Sequence, residues 1–435
     1  MTMAAEKAFP AYGNLPKSWT RRRLRFDVHL NPKKSSLDME PGELVSFVPM
    51  DAVGEYGGLN LDEVRELEEV YNGYTYFADG DLCIAKITPC FENGKGGLAE
   101  GLTNGVGFGT TELHVVRAGP SIDRRFLFYV SIADDFRKLG ESEMYGAGGQ
   151  KRIDESFIKD WMPPLPPLDT QRRIARFLDE KTARIDGLIE KKRVLLARLA
   201  EKRQALITRA VTKGLNPDAP LKPSGIDWLR DIPAHWEVKR LKYISPKVTV
   251  GIVVTPAAYY SDEGVLAIRG LNVRPMDFDF TDSRNISEEG HELHLKSELH
   301  EGDLVSVRTG DPGTTSVITP DLAGTNCVDL VIIRKPRNAF SRFLGWFLNS
   351  DAAKVQYAIG SEGALQLHFN VETSKEVTVA FPPSEEQTAI ADYIDSGLEY
   401  ENDRATKVER SVEFLDEYRG ALVTAAVTGQ IAGLK

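Results

Sequence analysis

Several stretches of this 435-residue chain carry side chains capable of chemistry at spacings close to those of reactive sites. His291-Glu292-Leu293-His294, with His300 nearby, is one residue short of the His-Glu-x-x-His spacing that sets two imidazoles one helical turn apart on a metal. A polar surface segment accounts for it better. Asp169 with Asp179-Glu180-Lys181 has the acid and lysine content of a metal-dependent nuclease. It stands at the start of an expected helix, where an acid is stabilised by the positive end of the dipole. The related stretch later in the chain, Glu385 and then Asp395-Ser396-Gly397, lacks the lysine. Asn31-Pro32-Lys33-Lys34 opens like an Asn-Pro-Pro-aromatic motif but has neither the second proline nor the aromatic. Gly94-Lys95 lacks the upstream glycine and the following hydroxyl of a phosphate loop. Gly105-Val106-Gly107-Phe108-Gly109 has the wrong spacing for a dinucleotide turn. No catalytic set, metal site or cofactor site emerges.

What remains suits recognition. Polar and basic residues gather in Gly-rich loops: Lys86, Thr88, Asn93 and Lys95 early, then Arg308, Thr309, Asp311, Thr314 and Thr315. Gln150, Lys151 and Arg152 follow a Gly-Gly pair, and Gln366 and His368 stand 216 residues further on. Glutamine and arginine form bidentate hydrogen bonds with adenine and guanine edges in the major groove. Two basic clusters recur at related places: Lys17, Arg21, Arg22, Arg23 and Arg25, then Lys239, Arg240, Lys242 and Lys247. The plainer alternative is that these are ordinary solvated turns.

The elements that must position these residues come in two copies. Residues 166–215 return without a gap as 382–431, with sixteen of the 50 aligned pairs identical. Among them are Pro166/Pro382, Gln171/Gln387, Ile174/Ile390, Arg203/Arg419 and Ala210-Val211-Thr212/Ala426-Val427-Thr428. Upstream, Leu15-Pro16-Lys17-Ser18-Trp19 matches Ile232-Pro233-Ala234-His235-Trp236. The chain is therefore two tandem units, about 1–213 and 214–435, joined by the proline-rich GLNPDAPLKPSG. Within each unit, stretches such as 80–87, 111–118, 302–310 and 327–335 read as short strands, and 124–136 and 341–359 as helices. The fold class is α+β: two tandem mixed domains and two long helices, related by a pseudo-two-fold.

The helices carry the clearest period. Ala405, Val408, Val412, Leu415, Arg419, Leu422 and Ala426 alternate in steps of three and four. Leu178, Ile185, Leu188, Leu195, Leu199, Leu206 and Ala210 trace the matching seam, with Lys181, Lys192 and Lys202 in polar slots. Gly187 and Gly397 are expected to interrupt the early turns. Residues 171–213 hold 13 Lys/Arg and 5 Asp/Glu, a net of +8; residues 387–429 hold 4 and 9, a net of −5. Opposite charge favours pairing of the two helices with each other, so an intramolecular antiparallel coiled coil is expected.

Composition bounds the rest. At 42% hydrophobic and 27% charged the chain is globular in character, too long for one core, and lacks an 18-residue apolar run. The opening MTMAAEKAFPAYG has no basic segment followed by an apolar core, and three isolated cysteines make no framework, so a cytoplasmic location without membrane contact is expected. The net charge of −10 runs against a nucleic-acid binder unless basic patches are local.

The repeated Pro-Pro-Leu…Gln-Arg-x-Ile-Ala-x-Phe-Leu-Asp motif, the Ala-Val-Thr helix end, the GDLVSVRTGDPG loop and the Ile-Pro-x-x-Trp opening together resemble the specificity subunit of type I restriction–modification systems. The resemblance covers essentially the whole chain. It implies a target-recognition domain at 1–166, a spacer helix at 167–213, a linker at 214–232, a second target-recognition domain at 233–382, and a second spacer helix with a tail at 383–435. It implies that each domain reads one half of a bipartite, asymmetric DNA site. It implies that the coiled coil sets half-site spacing and docks two modification subunits. The partners are then double-stranded DNA, two modification subunits and, less directly, restriction subunits. S-adenosylmethionine, ATP and Mg belong to those subunits, and this chain is non-catalytic with no bound cofactor. The alternative within the same resemblance is an adaptor of a methyltransferase-only or other defence complex. An enzyme with degenerate motifs, or an adaptor that never touches DNA, are the competing classes.

Overall fold

The computed structural model describes residues 15–147, 149–360 and 370–434. They fall into two compact units, Met1–Lys192 with Glu409–Lys435, and Arg193–Val408. The division does not follow the tandem repeat. Each unit takes one mixed domain, one half of the first long helix (Leu168–Lys213) and one half of the second (Ser384–Val427).

The domains share a topology. In unit 1 an antiparallel sheet runs Val28–Leu30, Leu113–Ala118, Leu82–Ala85, Gly96–Leu98. A second sheet runs Val64–Glu66, Leu44–Val48, Val106–Gly109, Thr75–Ala78, with its middle pair parallel. In unit 2 the first sheet recurs as Val248–Val250, Leu330–Ile333, Leu304–Val307, Thr315–Val317. The second recurs in part as Tyr260–Ser261, Asn285–Ile286, Val265–Ile268, Asn326–Cys327, with its parallel pair now at the edge and, among the described residues, no strand matching Thr75–Ala78. The strands are short and fully buried on both faces at their centres, as in Leu82–Ala85 and Leu304–Val307. That burial explains why they read as apolar runs rather than as clean alternation.

Each repeated motif has a packing role. Trp19 and Trp236 sit in the same turn, each backbone N–H donating 2.9 Å to the carbonyl of Pro16 or Pro233. Both indoles are buried. Trp236 lies on Gly214, just past the end of the first long helix, and Trp19 on Gly429, just past the end of the second. Both glycines are left-handed, at φ +72° and +73°, and a Cβ at either would come within 3.2 Å of the indole. Glycine is needed there twice over, for the helix stop and for the close approach. Gln171 and Gln387 are both buried near the start of the long helices. Gln171 donates to the carbonyl of Pro166 and accepts from the N–H of Asp123; Gln387 donates to Pro382 and accepts from Phe340. Each glutamine thereby ties its long helix to the entry of the domain helix Arg124–Ile132 or Ser341–Leu348.

The long helices are antiparallel within each unit. In unit 1 the apolar core joins Ile174, Ala175 and Leu178 to Val423, Ala426 and Val427, while Asp186 pairs with Arg419 at 2.8 Å. In unit 2 Ile207, Ala210 and Val211 join Ile390, Ala391 and Ile394, while Lys202 pairs with Glu401 at 2.7 Å. Early residues of one helix thus meet late residues of the other. Only the Lys202–Glu401 pair has the polarity that the net charges suggest; Asp186–Arg419 has the reverse.

Two expectations need correction. Gly187 and Gly397 interrupt nothing: both helices are continuous, because one glycine costs only about 1 kcal/mol in a long packed helix. At Gly397 the missing Cβ admits Leu206, whose methyl would stand 3.1 Å away. The seam of the first helix also differs. Leu178, Ile185 and Leu199 are buried and Leu206 partly so, but Leu188 and Leu195 are 41% and 39% exposed. Their neighbours Ile189 and Leu196 face inward instead, with the half-buried Lys192 and Arg203 completing the stripe. On the second helix Ala405, Val408, Val412, Leu415 and Leu422 are all half-buried on the seam.

Leu178→Ala should cost roughly 2–5 kcal/mol of unfolding free energy, and Leu188→Ala within about 0.5 kcal/mol. Denaturant titration checks both, and equal losses would put Leu188 back on the seam. The Lys202 ammonium holds the Glu401 carboxyl below its ordinary 4.5, with Arg404 helping. A carboxyl depressed in the folded state contributes stability above pH 4.5 and loses it as pH falls through the lowered value. Glu401→Gln should therefore be less stable than the parent at pH 7, with the gap closing in acid; a gap constant from pH 7 to 3 is the contrary result.

Candidate nucleic-acid interface

In unit 1 the structure brings together residues far apart in sequence. The N–H of Ile153 donates 2.9 Å to the carbonyl of Lys86, and the N–H of Thr88 donates 3.0 Å to that of Lys151. Lys86, Thr88, Lys151 and Arg152 are therefore one cluster, with exposed Gln150 beside it. Arg152 is held by Glu112 through a fork, Nε to Oε2 at 2.9 Å and Nη2 to Oε1 at 2.7 Å. That hydrogen bonding raises the guanidinium and lowers the carboxyl from their ordinary values. Asn93 and Lys95, at the far end of the same loop, turn elsewhere. Asn93 donates 3.2 Å to Glu55 and Lys95 donates 3.1 Å to the Met50 carbonyl.

Beside Lys86 lies a recess of about 700 Å³ that the sequence did not reveal. Lys33, Lys34 and Lys86 line it together with Tyr71, Tyr74 and Tyr76. The Lys34 ammonium sits 4.4 Å from the Tyr71 ring centre. His114, buried at its inner wall, is kept neutral by desolvation although its Nε2 faces the Ile153 carbonyl at 2.9 Å. Cations interleaved with aromatic faces suit a phosphate backbone with bases stacked against rings. The close spacing of Tyr71, Tyr74 and Tyr76 was the available signal, but tyrosines in turns and at strand edges are common enough to hide it.

The basic clusters lie on or beside short strands that pair with the segment leading into each long helix. Thr20–Arg21 pairs with Pro164–Leu165, and Glu237–Arg240 with Thr378–Phe381. Their charges, however, are largely engaged by acids. Arg22 holds the buried Asp27, with Nε 2.7 Å from Oδ2. Arg23 and Arg25 share Asp160, and the Arg21 Nε stands 3.4 Å from the Met162 carbonyl. Arg240 and Lys242 share Glu376 at 2.8 and 2.6 Å, and Lys239 pairs with Glu237 at 2.7 Å. Lys17 is exposed.

In unit 2 the loop residues fare unevenly. Thr315 is fully buried, its hydroxyl 2.9 Å from Ser306 and its N–H donating to Asn349, so it cannot reach a ligand. It opens a strand instead of lining a loop. Arg308 is mostly buried and pairs with Asp329 at 2.6 Å, and Thr314 donates 2.6 Å to Asp311. Thr309 is half-buried. Gln366 and His368 lie outside the described residues. The histidines diverge: His294 Nδ1 faces the Gly290 carbonyl at 2.9 Å, His291 Nδ1 is 3.3 Å from Asn326, and His300 lies against Arg334 and Asp303. None of the described helices is long and apolar enough to cross a membrane.

No family model matches the chain. Over 162 residues, 37% of its length, it is 43% identical to the type I restriction enzyme EcoAI specificity subunit of Escherichia coli. Over the same extent it is 41% identical to the EcoEI specificity subunit of that organism. Each match spans only 27% of the relative. Over 420 residues, 92% of both chains, it is 25% identical to the putative type I restriction enzyme MjaX specificity subunit of Methanocaldococcus jannaschii. Two solved chains share the fold. One, from work on assembly and conformational transition of the type I R-M system, aligns at a TM-score of 0.72 with 17% identity, over 96% of this chain and 100% of that one. The HsdS subunit from Thermoanaerobacter tengcongensis aligns at 0.50 with 17% identity, over 96% and 99%.

Because Glu376 engages two cations, and Lys242 lowers its carboxyl so that it stays ionised at neutral pH, Glu376→Gln should expose positive charge. The variant is expected to elute from a polyanion column at higher salt than the parent at pH 7, and an unchanged elution would mean that Arg240 and Lys242 face away from solvent anions.

Proposed function

We propose that this chain, whose relatives are the specificity subunits of type I restriction enzymes, is the DNA-reading subunit of such a system. The observation that carries the reading is the duplication of a domain topology with divergent loops in one chain. The same two sheets present Lys86, Lys151, Arg152 and a tyrosine-lined recess in one unit, and a different set in the other. Two readers with unlike side chains suit an asymmetric, bipartite target, one half for each domain. The two continuous helices, of 46 and 44 residues, serve as spacer and as the surface for two modification subunits. Methyl transfer, ATP use and cleavage belong to those partners.

The engaged cations set the affinity. Arginines already paired with Asp27, Asp160, Glu112 and Glu376 release few counterions when they meet phosphate. The lone chain is therefore a weak binder of random duplex at physiological salt, and the modification subunits supply the clamp. Among the free cations, Lys151→Ala should weaken binding of the assembled complex about equally on all sequences, and reduce the salt slope of log K by about one.

The deciding experiment is detection of methylated adenine across the host genome with and without this chain. A bipartite motif that disappears on deletion is expected. Replacing residues 15–165 by the corresponding domain of a relative should then change one half of the motif and leave the other half and the spacer intact. Methylation indifferent to the deletion would remove the DNA-reading role.

A further inference from the structure

The repeat offset that pairs Arg203 with Arg419 hides a difference between the units. In unit 1 Arg419 has both terminal nitrogens engaged, while its buried Nε has no partner among the described residues. It pairs with Asp186 and with Asp416, each at 2.8 Å, and its guanidinium stacks 4.2 Å from the ring centre of Tyr56. Only 13% of its side chain is exposed. Tyr56 reaches it from a five-residue turn, Gly54–Gly58, closed by a bridge between Val53 and Leu59. Tyr56 itself is left-handed, at φ +58°, and its N–H donates 3.1 Å to the carbonyl of Gly94, just before the strand Gly96–Leu98.

Unit 2 has the same turn in shortened form. Val273–Arg274 pairs with Asp277–Phe278 across the two residues Pro275 and Met276. Met276 is left-handed, at φ +60°, and its N–H donates 3.0 Å to the carbonyl of Thr315, at the start of the matching strand. The shorter turn carries a thioether that packs against Gly345 and goes no further. The two acids are lost as well. At the repeat offset, Asp186 becomes Asn402 and Asp416 corresponds to Ala200. Among the described residues, no acid lies within ion-pairing distance of Arg203.

Between Met276 of this shortened turn and Arg203 there is a cavity of about 920 Å³. It lies within the ~300–1,000 Å³ range of pockets that hold compact ligands. Arg203 and Asn402 line one side, with Phe340, Trp346 and Met276 as apolar walls. The Trp346 indole is fixed by an Nε1–H donated 2.7 Å to Asp395. Arg274 and Arg342 are already engaged by Asp279 and Asp392. The lining holds four cations (Arg203, Arg274, Lys335, Arg342) and four acids (Asp277, Glu301, Asp395, Glu399). An evenly charged wall does not suit a polyphosphate or a nucleic-acid strand. It suits one aromatic ring and one carboxylate directed at Arg203.

We propose that the Arg203 cavity of unit 2 is a docking site for an aromatic side chain with an adjacent carboxylate on a segment of a partner protein, which completes in trans the stack and ion pair that Tyr56, Asp186 and Asp416 make internally in unit 1. Guanidinium–aromatic stacking with a carboxylate on the fork is a strong local recognition unit, and a partly desolvated arginine gains from both. The proposal is independent of DNA reading, so the methylation experiment and the one below fail separately.

The probe is N-acetyl-Tyr-Asp amide, titrated into the full chain and followed by saturation-transfer NMR. Saturable binding with a millimolar dissociation constant is expected, with the tyrosine ring protons most strongly saturated. Arg203→Gln should weaken it at least tenfold. Asn402→Asp, which supplies an internal acid and leaves the seam intact, should weaken it severalfold, so the result does not hang on one helix variant. Grafting Gly54–Gly58 in place of Pro275–Met276 should abolish it. No saturation up to tens of millimolar, equal binding by Arg203→Gln, or tighter Arg203-dependent binding of adenosine monophosphate would each overturn the proposal, the last in favour of a nucleotide.

Discussion

Everything in this molecule depends on two long helices that run antiparallel, because neither mixed domain closes its core without both. The core of unit 1 takes Ile174, Ala175 and Leu178 from the beginning of one helix and Val423, Ala426 and Val427 from the end of the other. The core of unit 2 takes the complementary halves. The tandem repeat is thus a unit of sequence and not a unit of packing. A fragment ending at the repeat boundary would leave Trp19 without Gly429 and Leu178 without its partners. The antiparallel arrangement follows from this demand. A parallel pair would bring together two helix starts, whereas each domain is built to receive one start, through Gln171 or Gln387, and one end, through its tryptophan.

That architecture explains which features were legible in the sequence. The repeated Trp, Gln, Pro and terminal Gly residues were readable because each has one narrow structural job, performed twice. The heptad seam of the second helix was readable at Val408 and Val412, which have no apolar neighbour in sequence, whereas at Leu422 the adjacent Val423 is the more deeply buried of the two. The first helix was misread where it offers adjacent pairs, Leu188-Ile189 and Leu195-Leu196, either of which keeps steps of three and four. Lys192 lies on either stripe, so it does not decide between them; the expected stripe carries the exposed Lys202 where the structure puts the half-buried Arg203. Long cations bury their stems and keep their heads at the edge, so either residue type is tolerated there.

The candidate interface was harder to read for a different reason. Linear clusters of arginine looked like free charge, but the acids that engage them come from distant segments: Asp160 for Arg23 and Arg25, Glu376 for Arg240 and Lys242. The net charge of −10 carried that information only in aggregate. Conversely, the recess beside Lys86 brings Lys33 and Lys34 from one segment against Tyr71, Tyr74 and Tyr76 of another, a juxtaposition that no local pattern marks. Thr315 shows the same limit in reverse. Its Gly-rich context suggested a loop, yet Asn349, 34 residues away, draws it into the sheet.

Duplication also turns small differences into information. In a symmetric pair, a residue that keeps its identity while losing its partners stands out against its own copy. Arg203 is such a residue. Nothing in the stability of unit 2 requires an arginine there, since Ala200 and Asn402 leave its charge unmatched and an aliphatic side chain would fill the seam at lower cost of desolvation. Arg419 shows what the position accomplishes when it is complete: it joins the helix pair to the domain loop through Tyr56. The same junction in unit 2 is open, with its aromatic wall and its cation in place. A junction that is closed from within on one side and open on the other gives two otherwise matched units different faces to any partner that meets them both.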